Sequence, residues 1–177
     1  PLIFTGLSVA FSFKTGVFNI GAEGQFVVGS LAACVVGIVV KAPAAIHVVL
    51  CILAAVIAGG LWGAIVGVLK VKRGVHEVLS YIMFNWIAFY LSNYVVNLKA
   101  IHRSGGGEAT KDIADTARMK LPDAVVAATR CGAANWGIFL AVGAAILIWF
   151  IMNKTTLGYQ LRAVGFSKTA AEYGGIN

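Results

Sequence analysis

The chain has 177 residues, 59% of them hydrophobic and 12% charged, with a mean hydropathy of +0.87 and a net charge of +7. A soluble domain runs about 45–50% apolar and about 25% charged, so the apolar runs exclude a single soluble domain that the length alone would allow. The positive charges sit between apolar runs rather than on one face, which argues against nucleic acid and for anionic membrane lipids as partners.

A membrane-spanning helix needs about 20 mainly apolar residues. Residues 2–13 are too few alone and read as the tail of a span. The chain begins at Pro1 inside this segment and ends at Asn177 just after a glycine pair. It is therefore expected to be an excerpt of a longer membrane protein.

Next comes Gly16-Val17-Phe18-Asn19-Ile20-Gly21-Ala22-Glu23-Gly24-Gln25. Three glycines, two amides and a carboxylate make a poor lipid-facing helix. Polar or irregular backbone at membrane depth is tolerated where protein buries it or a watery cavity receives it. Glycines let the chain unwind, and unwound helix ends offer free N–H and C=O groups to a solute. Asn19 and Gln25 can hydrogen-bond a polar solute, and Glu23 can pair with a cation or accept from a hydroxyl or amine. The residues fit equally an interfacial loop with Glu23 facing water at a helix N-terminus, where the dipole favours it.

Residues 26–40 are apolar and uncharged, and reach spanning length with the glycine-rich stretch before them. Residues 41–47 form a short connection holding Pro43. Residues 48–69 are a full span. Ala55, Gly59, Gly63 and Gly67 recur on it every four positions, as do Gly29, Ala33 and Gly37 before it and Gly137, Ala141 and Ala145 later. Such ridges bring helix backbones close in lipid. They predict a tight bundle and say nothing of a solute.

Residues 70–77 are short and basic, with Glu77 a candidate cap for the helix that follows. Residues 78–98 form a span carrying polar Asn85, Ser92, Asn93 and Asn97. Asn85 is expected to face other helices, beside Trp86. Residues 99–135 form a long polar loop with Gly105-Gly106-Gly107, and residues 136–152 are the last span. The expected fold is all-α: a polytopic transmembrane bundle with a broken segment, four complete spans and one partial.

The fourteen Lys and Arg divide evenly between alternate sides, so charge does not orient the chain. The cluster at Lys70, Lys72 and Arg73, at a helix end, mildly favours that side as cytoplasmic. Cys34, Cys51 and Cys131 form no CxxC pair and no metal-spaced group. No metal, cofactor or catalytic residue is expected, and no GxSxG, HExxH or phosphate-loop motif is present.

After the last span, Leu157, Leu161 and Val164 fall at helical spacing. Gly165 is expected to end that helix. Ser167 or Thr169 is expected to start a second, Thr169 with Glu172 matching a capping box. Two short helices at a membrane surface make a knob that another protein can grip, or a plain connector.

Three stretches in order resemble the permease subunits of bacterial ABC importers for simple sugars, nucleosides and branched-chain amino acids. They are residues 16–25; Gly74-Val75-His76-Glu77-Val78 with Ile82-Met83-Phe84-Asn85; and Leu157-Gly158-Tyr159-Gln160-Leu161-Arg162-Ala163-Val164-Gly165 leading to Ala170-Ala171-Glu172-Tyr173-Gly174-Gly175-Ile176. The middle stretch, and the loop ending near Lys120-Leu121-Pro122, look most like the nucleoside-type branch. Ser167-Lys168 stands where such permeases often have Asn-Pro, which bears on where the second short helix begins.

The resemblance implies a non-enzymatic transport subunit in the bacterial inner membrane, with spans missing at both ends. Its implied partners are an ATPase subunit, a second permease subunit and an extracytoplasmic solute-binding protein. Residues 154–176 would be a cytoplasmic coupling segment, in which Gly158, Arg162, Gly165, Ala170, Ala171, Glu172 and Gly175 are candidates for docking the ATPase. The loop 99–135 would then lie outside. Phe18, Asn19, Gly21, Glu23, Gly24, Gln25, Asn85 and Trp86 are candidates for the solute path.

A ribose-type sugar permease is the alternative substrate branch, with aromatic Phe18 or Trp86 near the path favouring a nucleoside. A secondary transporter or channel would need mid-span coupling carboxylates, for which Glu23 is the sole candidate. A lipid-modifying membrane enzyme would need acidic or His residues gathered at one membrane face, and the sequence does not supply them.

Overall fold

A computed structural model describes residues 1–103, 109–119 and 135–176. The Gly105–Gly107 run, Lys120-Leu121-Pro122 and Cys131 lie outside the described residues. The helices in chain order are α1 (Leu2–Lys14), α2 (Ala22–Val39), α3 (Ala44–Arg73), α4 (Glu77–Val96), α5 (Gly137–Lys154), α6 (Thr156–Phe166) and α7 (Lys168–Tyr173). A 3-10 turn at Asp115–Ala117 stands between α4 and α5, and no strand occurs among the described residues. The chain forms two compact units, Pro1–Asn19 with Lys120–Asn177, and Ile20–Met119.

Helices α2, α3 and α5 are each long and apolar enough to cross a membrane. Helix α4 has 20 residues but interrupts its apolar run with Ser80, Asn85, Ser92 and Asn93. Large apolar side chains point outward, among them Leu53, Val56, Ile57 and Leu61 on α3 and Ile146, Leu147, Trp149 and Phe150 on α5. Exposure on that scale is costly in water and costless against lipid chains.

In the Ile20–Met119 unit, α2 packs against α3 and α4. The small-residue ridges make the α2–α3 contact. A Cβ on Gly29 would stand 3.0 Å from the Ala55 carbonyl oxygen, and one on Gly59 would stand 3.1 Å from that of Gln25. Helix α3 runs through the basic cluster that reads as a loop in the sequence. Lys70, Lys72 and Arg73 are good helix formers and suit the negative end of the helix dipole. Gly74 ends it in the left-handed conformation at φ 62°, its N–H donating to the Lys70 carbonyl at 3.0 Å. Glu77 pairs with Lys70 across this turn, and the side chain of the N-cap residue His76 makes no capping hydrogen bond to α4.

The segment after α4 folds back over the α2–α3 turn. Lys111 Nζ donates to the Ala100 carbonyl at 2.9 Å, and Ala114 N–H donates to that of Gly37 at 3.2 Å. Fully buried His47 holds this return: Nδ1 lies 2.8 Å from Thr116 Oγ1, and Nε2 lies 3.3 Å from the Val36 carbonyl.

In the other unit, α1 packs on α5 and α6, and α6 packs on α5 and α7. Ala141, in the third small-residue ridge, is buried.

Candidate functional site

Two regions hold the residues singled out in the sequence, one in each unit, and each is built separately.

The first is the start of α2. The predicted break is shorter than the ten residues suggest, because the helix already begins at Ala22 and takes in Glu23, Gly24 and Gln25. A helix start leaves its first N–H groups without intrahelical partners. The N-cap here is Gly21, which offers no side chain. Asn85 of α4 supplies the cap from 61 positions away: its Oδ1 accepts from Gly24 N–H at 3.0 Å. Its Nδ2 donates to the Ile20 carbonyl at 3.2 Å. The one amide thus clasps both flanks of the helix start.

The approach depends on missing side chains. A Cβ on Gly24 would lie 2.7 Å from Asn85 Oδ1, and a Cβ on Gly21 would strike the Tyr81 ring. Gln25 lies half-buried beside Gly63, where a Cβ would sit 2.5 Å from its Nε2. Glu23 is exposed in the first turn of α2. Trp86 is exposed on α4 and forms an aromatic cluster with Phe89 and Tyr90, stacking on the Tyr90 ring at 6.3 Å between centroids. The structure therefore brings Gly21, Gly24, Gln25 and Asn85 together, and leaves Glu23 and Trp86 on the surface of this unit.

One residue here escapes a reading of the sequence. Trp62 of α3 stands edge-to-face on Phe84 at 5.4 Å. Its Nε1 would be 3.3 Å from a Gly24 Cβ, and that nitrogen is buried without a hydrogen-bond partner among the described residues.

Phe18 and Asn19 belong to the other unit. The chain leaves α1 through Gly16 at φ 74°, and Val17 N–H turns back to the Ser12 carbonyl at 3.0 Å. Asn19 is buried, its Nδ2 donating to Ser8 Oγ at 3.3 Å. Phe18 packs edge-to-face on Phe13 at 5.0 Å.

The second region is the two-helix knob. Thr155 caps α6: its hydroxyl accepts from Gly158 N–H at 3.2 Å. Gly158 is buried against α5, where a Cβ would stand 2.5 Å from Met152 Cα. Only glycine lets α6 turn off α5 this tightly.

Gly165 does not end α6, which continues through Phe166. Its missing side chain serves a close crossing instead, since a Cβ there would strike the Lys14 carbonyl oxygen and lie 3.1 Å from Gly16 N. Ser167 both ends α6 and starts α7, with an extended backbone (φ −160°) and its Oγ accepting from Ala170 N–H at 3.3 Å. The Thr169–Glu172 capping box is therefore not used, because Ser167 occupies the capping position. Gly175, at φ 75°, turns the chain out of α7.

Between α6 and α7 lies an open hollow of 590 Å³, lined in part by Tyr159, Arg162, Phe166, Ala170 and Ala171. Arg162 also lines a second hollow of 300 Å³ with Phe13, Lys14, Gly165 and Phe166. Its Nε donates to the Gly158 carbonyl at 3.3 Å, which fixes the stem of the side chain. Ala171 is buried, while Glu172, Phe166 and Tyr173 are exposed. Arg162, Tyr159 and Phe166 thus line the hollow, while Glu172 and Tyr173 are exposed on α7 outside its lining.

Residues 1–177 match the family described as the permease component of the branched-chain amino acid transport system. The chain belongs to this family. It is a multi-pass membrane protein.

The whole chain is 44% identical to half of the guanosine ABC transporter permease protein NupP of Bacillus subtilis (strain 168). It is 31% identical to half of the nucleoside ABC transporter permease protein NupB of Lactococcus lactis subsp. cremoris. It is also 31% identical to 48% of the glucose ABC transporter permease protein TsgB13 of Haloferax volcanii, again over its full length. The chain thus spans about half the length of the curated relatives it matches. No solved structure matches it.

Proposed function

We propose that this chain is part of the membrane-spanning permease of an ABC importer that moves a nucleoside into a bacterial cell across the inner membrane. The observation that carries the reading is the 44% identity, along the full chain, to a permease named for guanosine. Work would come from a separate ATPase pair. A second permease subunit would complete the pathway, and an extracytoplasmic binding protein would deliver the solute. Helix α4 serves as a further span in this reading, its polar residues turned to other helices.

The α6–α7 knob is the cytoplasmic docking element, which puts the basic end of α3 on the same side as the positive-inside rule prefers. The segment 99–135 then faces outward. The start of α2, with Gly21, Gly24, Gln25 and Asn85, lies along the solute path, where an interrupted backbone is tolerated. Asn85 acts there by holding the helix start, since both ends of its amide are engaged by backbone.

A simple-sugar substrate is the second reading, favoured by the 31% identity to a permease named for glucose. ATP-dependent guanosine uptake by the reconstituted full-length complex, challenged with excess ribose, glucose or leucine, separates the two. Uptake untouched by the competitors supports the nucleoside. Block by a sugar moves the chain to the sugar branch, and uptake without ATP removes the importer reading. In the same assay, Arg162→Gln is expected to leave the protein in the membrane and abolish uptake. Uptake at the wild-type rate would end the docking role of Arg162.

A further inference from the structure

The indole N–H of Trp62 is a buried donor of the α2–α3–α4 unit that the proposed function does not use. A buried donor left unpaired costs about 1–3 kcal/mol, and tryptophan buried in a core ordinarily reaches a partner. Nothing about ring packing requires this one to be stranded. Phenylalanine would make the same edge-to-face contact with Phe84 without the cost.

An acceptor stands close by. Asn85 Oδ1 and Trp62 Nε1 both lie within 3.3 Å of the position that a Gly24 Cβ would fill. A carbonyl oxygen accepts two hydrogen bonds, and among the described residues Oδ1 accepts one, from Gly24 N–H. Because residue 24 has no side chain, nothing of its own separates the donor from the acceptor. With the acceptor 2.7 Å and the donor 3.3 Å from that Cβ position, a shift of α3 against α4 that closes the space between them would bring them into hydrogen-bond range.

We infer that Trp62 is a positioning residue that gains a hydrogen-bond partner in a second packing. In a second packing of this three-helix unit, its Nε1–H donates to the free lone pair of Asn85 Oδ1, which keeps Gly24 N–H, so that the one amide ties α3 as well as α4 to the start of α2. The orphaned donor raises the energy of the packing seen here, and the new bond lowers that of the other. Such exchange between two discrete packings is what a transporter needs to alternate. It also explains why residue 24 carries no Cβ, which would block the exchange.

The inference rests on the importer reading, and its test is chosen to fail separately. The full-length permease is assembled with its ATPase in lipid nanodiscs, with the tryptophan indole nitrogens labelled with ¹⁵N. Loss of one resonance in Trp62→Phe assigns the signal. With an ATPase variant that binds but does not hydrolyse ATP, the Trp62 N–H proton is expected to move downfield between the nucleotide-free and ATP-bound states. In Asn85→Ala the movement is expected to vanish. A signal that stays put, or moves equally in Asn85→Ala, overturns the inference. Movement caused by solute alone, without ATP, would give the donor to the solute and overturn it as well.

Uptake supplies a second readout. Trp62→Phe is expected to slow it about fivefold, the worth of one net hydrogen bond, with ATP binding and membrane level unchanged. Uptake at the wild-type rate would count against the switch. Because the spectroscopic arm uses ATP and no nucleoside, a wild-type complex that ignores guanosine sinks the substrate reading and still decides this one.

Discussion

The two candidate regions spend glycine differently. Around the start of α2, the atoms nearest the missing side chains at Gly21, Gly24 and Gly63 are those of other side chains, the Tyr81 ring and the Asn85 and Gln25 amides, with backbone no nearer than 3.2 Å at Gly24 and 3.1 Å at neighbouring Gly59. In the knob the missing side chains make room for backbone, that of Ile151 and Met152 at Gly158 and of Lys14 and Gly16 at Gly165. A side chain can take another rotamer. A helical carbonyl moves only with its helix. The α2 region is therefore built to adjust, and the knob to hold its shape, which is what the proposed roles of solute path and docking lever would require.

The comparison breaks first at Gly158. Gly158→Ala is expected to cost more than about 3 kcal/mol, above the usual range for overpacking, because α5 and α6 must separate before the methyl fits. The purified full-length permease should show a much lower yield and unfolding midpoint. Near-normal stability would mean the knob is no more rigid than the path.

Gly165→Ala follows, at about 2–3 kcal/mol. The opposing backbone lies in the last residue of α1 and the turn after it, which yields more readily than a helix interior. The same melting curve checks it, and an effect larger than that of Gly158→Ala would reverse the order argued here.

Asn85→Ala sharpens the other side of the comparison. It strands Gly24 N–H and the Ile20 carbonyl together, for about 2–4 kcal/mol if each group loses its partner unrelieved. Asn85→Asp should recover little, because a carboxylate can accept from Gly24 but cannot donate to Ile20, and, with α4 a span as proposed, it adds a charge within the membrane. Equal stability of Asn85→Ala and wild type by thermal unfolding would show that the clasp does not hold the helix.

These contacts mark how far the sequence could be read. The helices were legible from apolar length, and the α2–α3 contact from the four-residue spacing of small residues. The break after α1 was legible because glycine and amides cluster there, although its end was not. Asn85, which lets the helix begin at Ala22, lies 61 residues from the backbone it caps, and no local pattern encodes such a pairing. Trp62 was invisible for another reason: within an apolar run, an indole is indistinguishable from core. Gly165 shows a third limit, since one glycine serves equally as a helix end or as a close crossing, and only the opposing backbone decides between them. Lys70 to Arg73 read as a loop because charge suggests one, yet the same residues favour a helix and suit its C-terminal end.

The smallest effect tests the comparison from its permissive side. Gly63→Ala places a methyl 2.5 Å from Gln25 Nε2 but 3.2 Å from its Cδ and 3.7 Å from its Cγ, with no backbone atom among the nearest neighbours. The far end of Gln25 needs only to swing. Replacing a mid-helix glycine by alanine returns about 0.5–1 kcal/mol of backbone entropy, which offsets the moved amide. The expected net change in stability is therefore near zero. Gly67→Ala, on the same ridge with nothing within 4 Å, is the reference for the helix gain alone. If Gly63→Ala unfolds the permease as Gly158→Ala should, then Gln25 is as fixed as a backbone, and the start of α2 does not adjust. If the two ridge variants differ by less than about 1 kcal/mol, any loss of uptake in Gly63→Ala is a matter of where Gln25 points rather than of whether the helices pack.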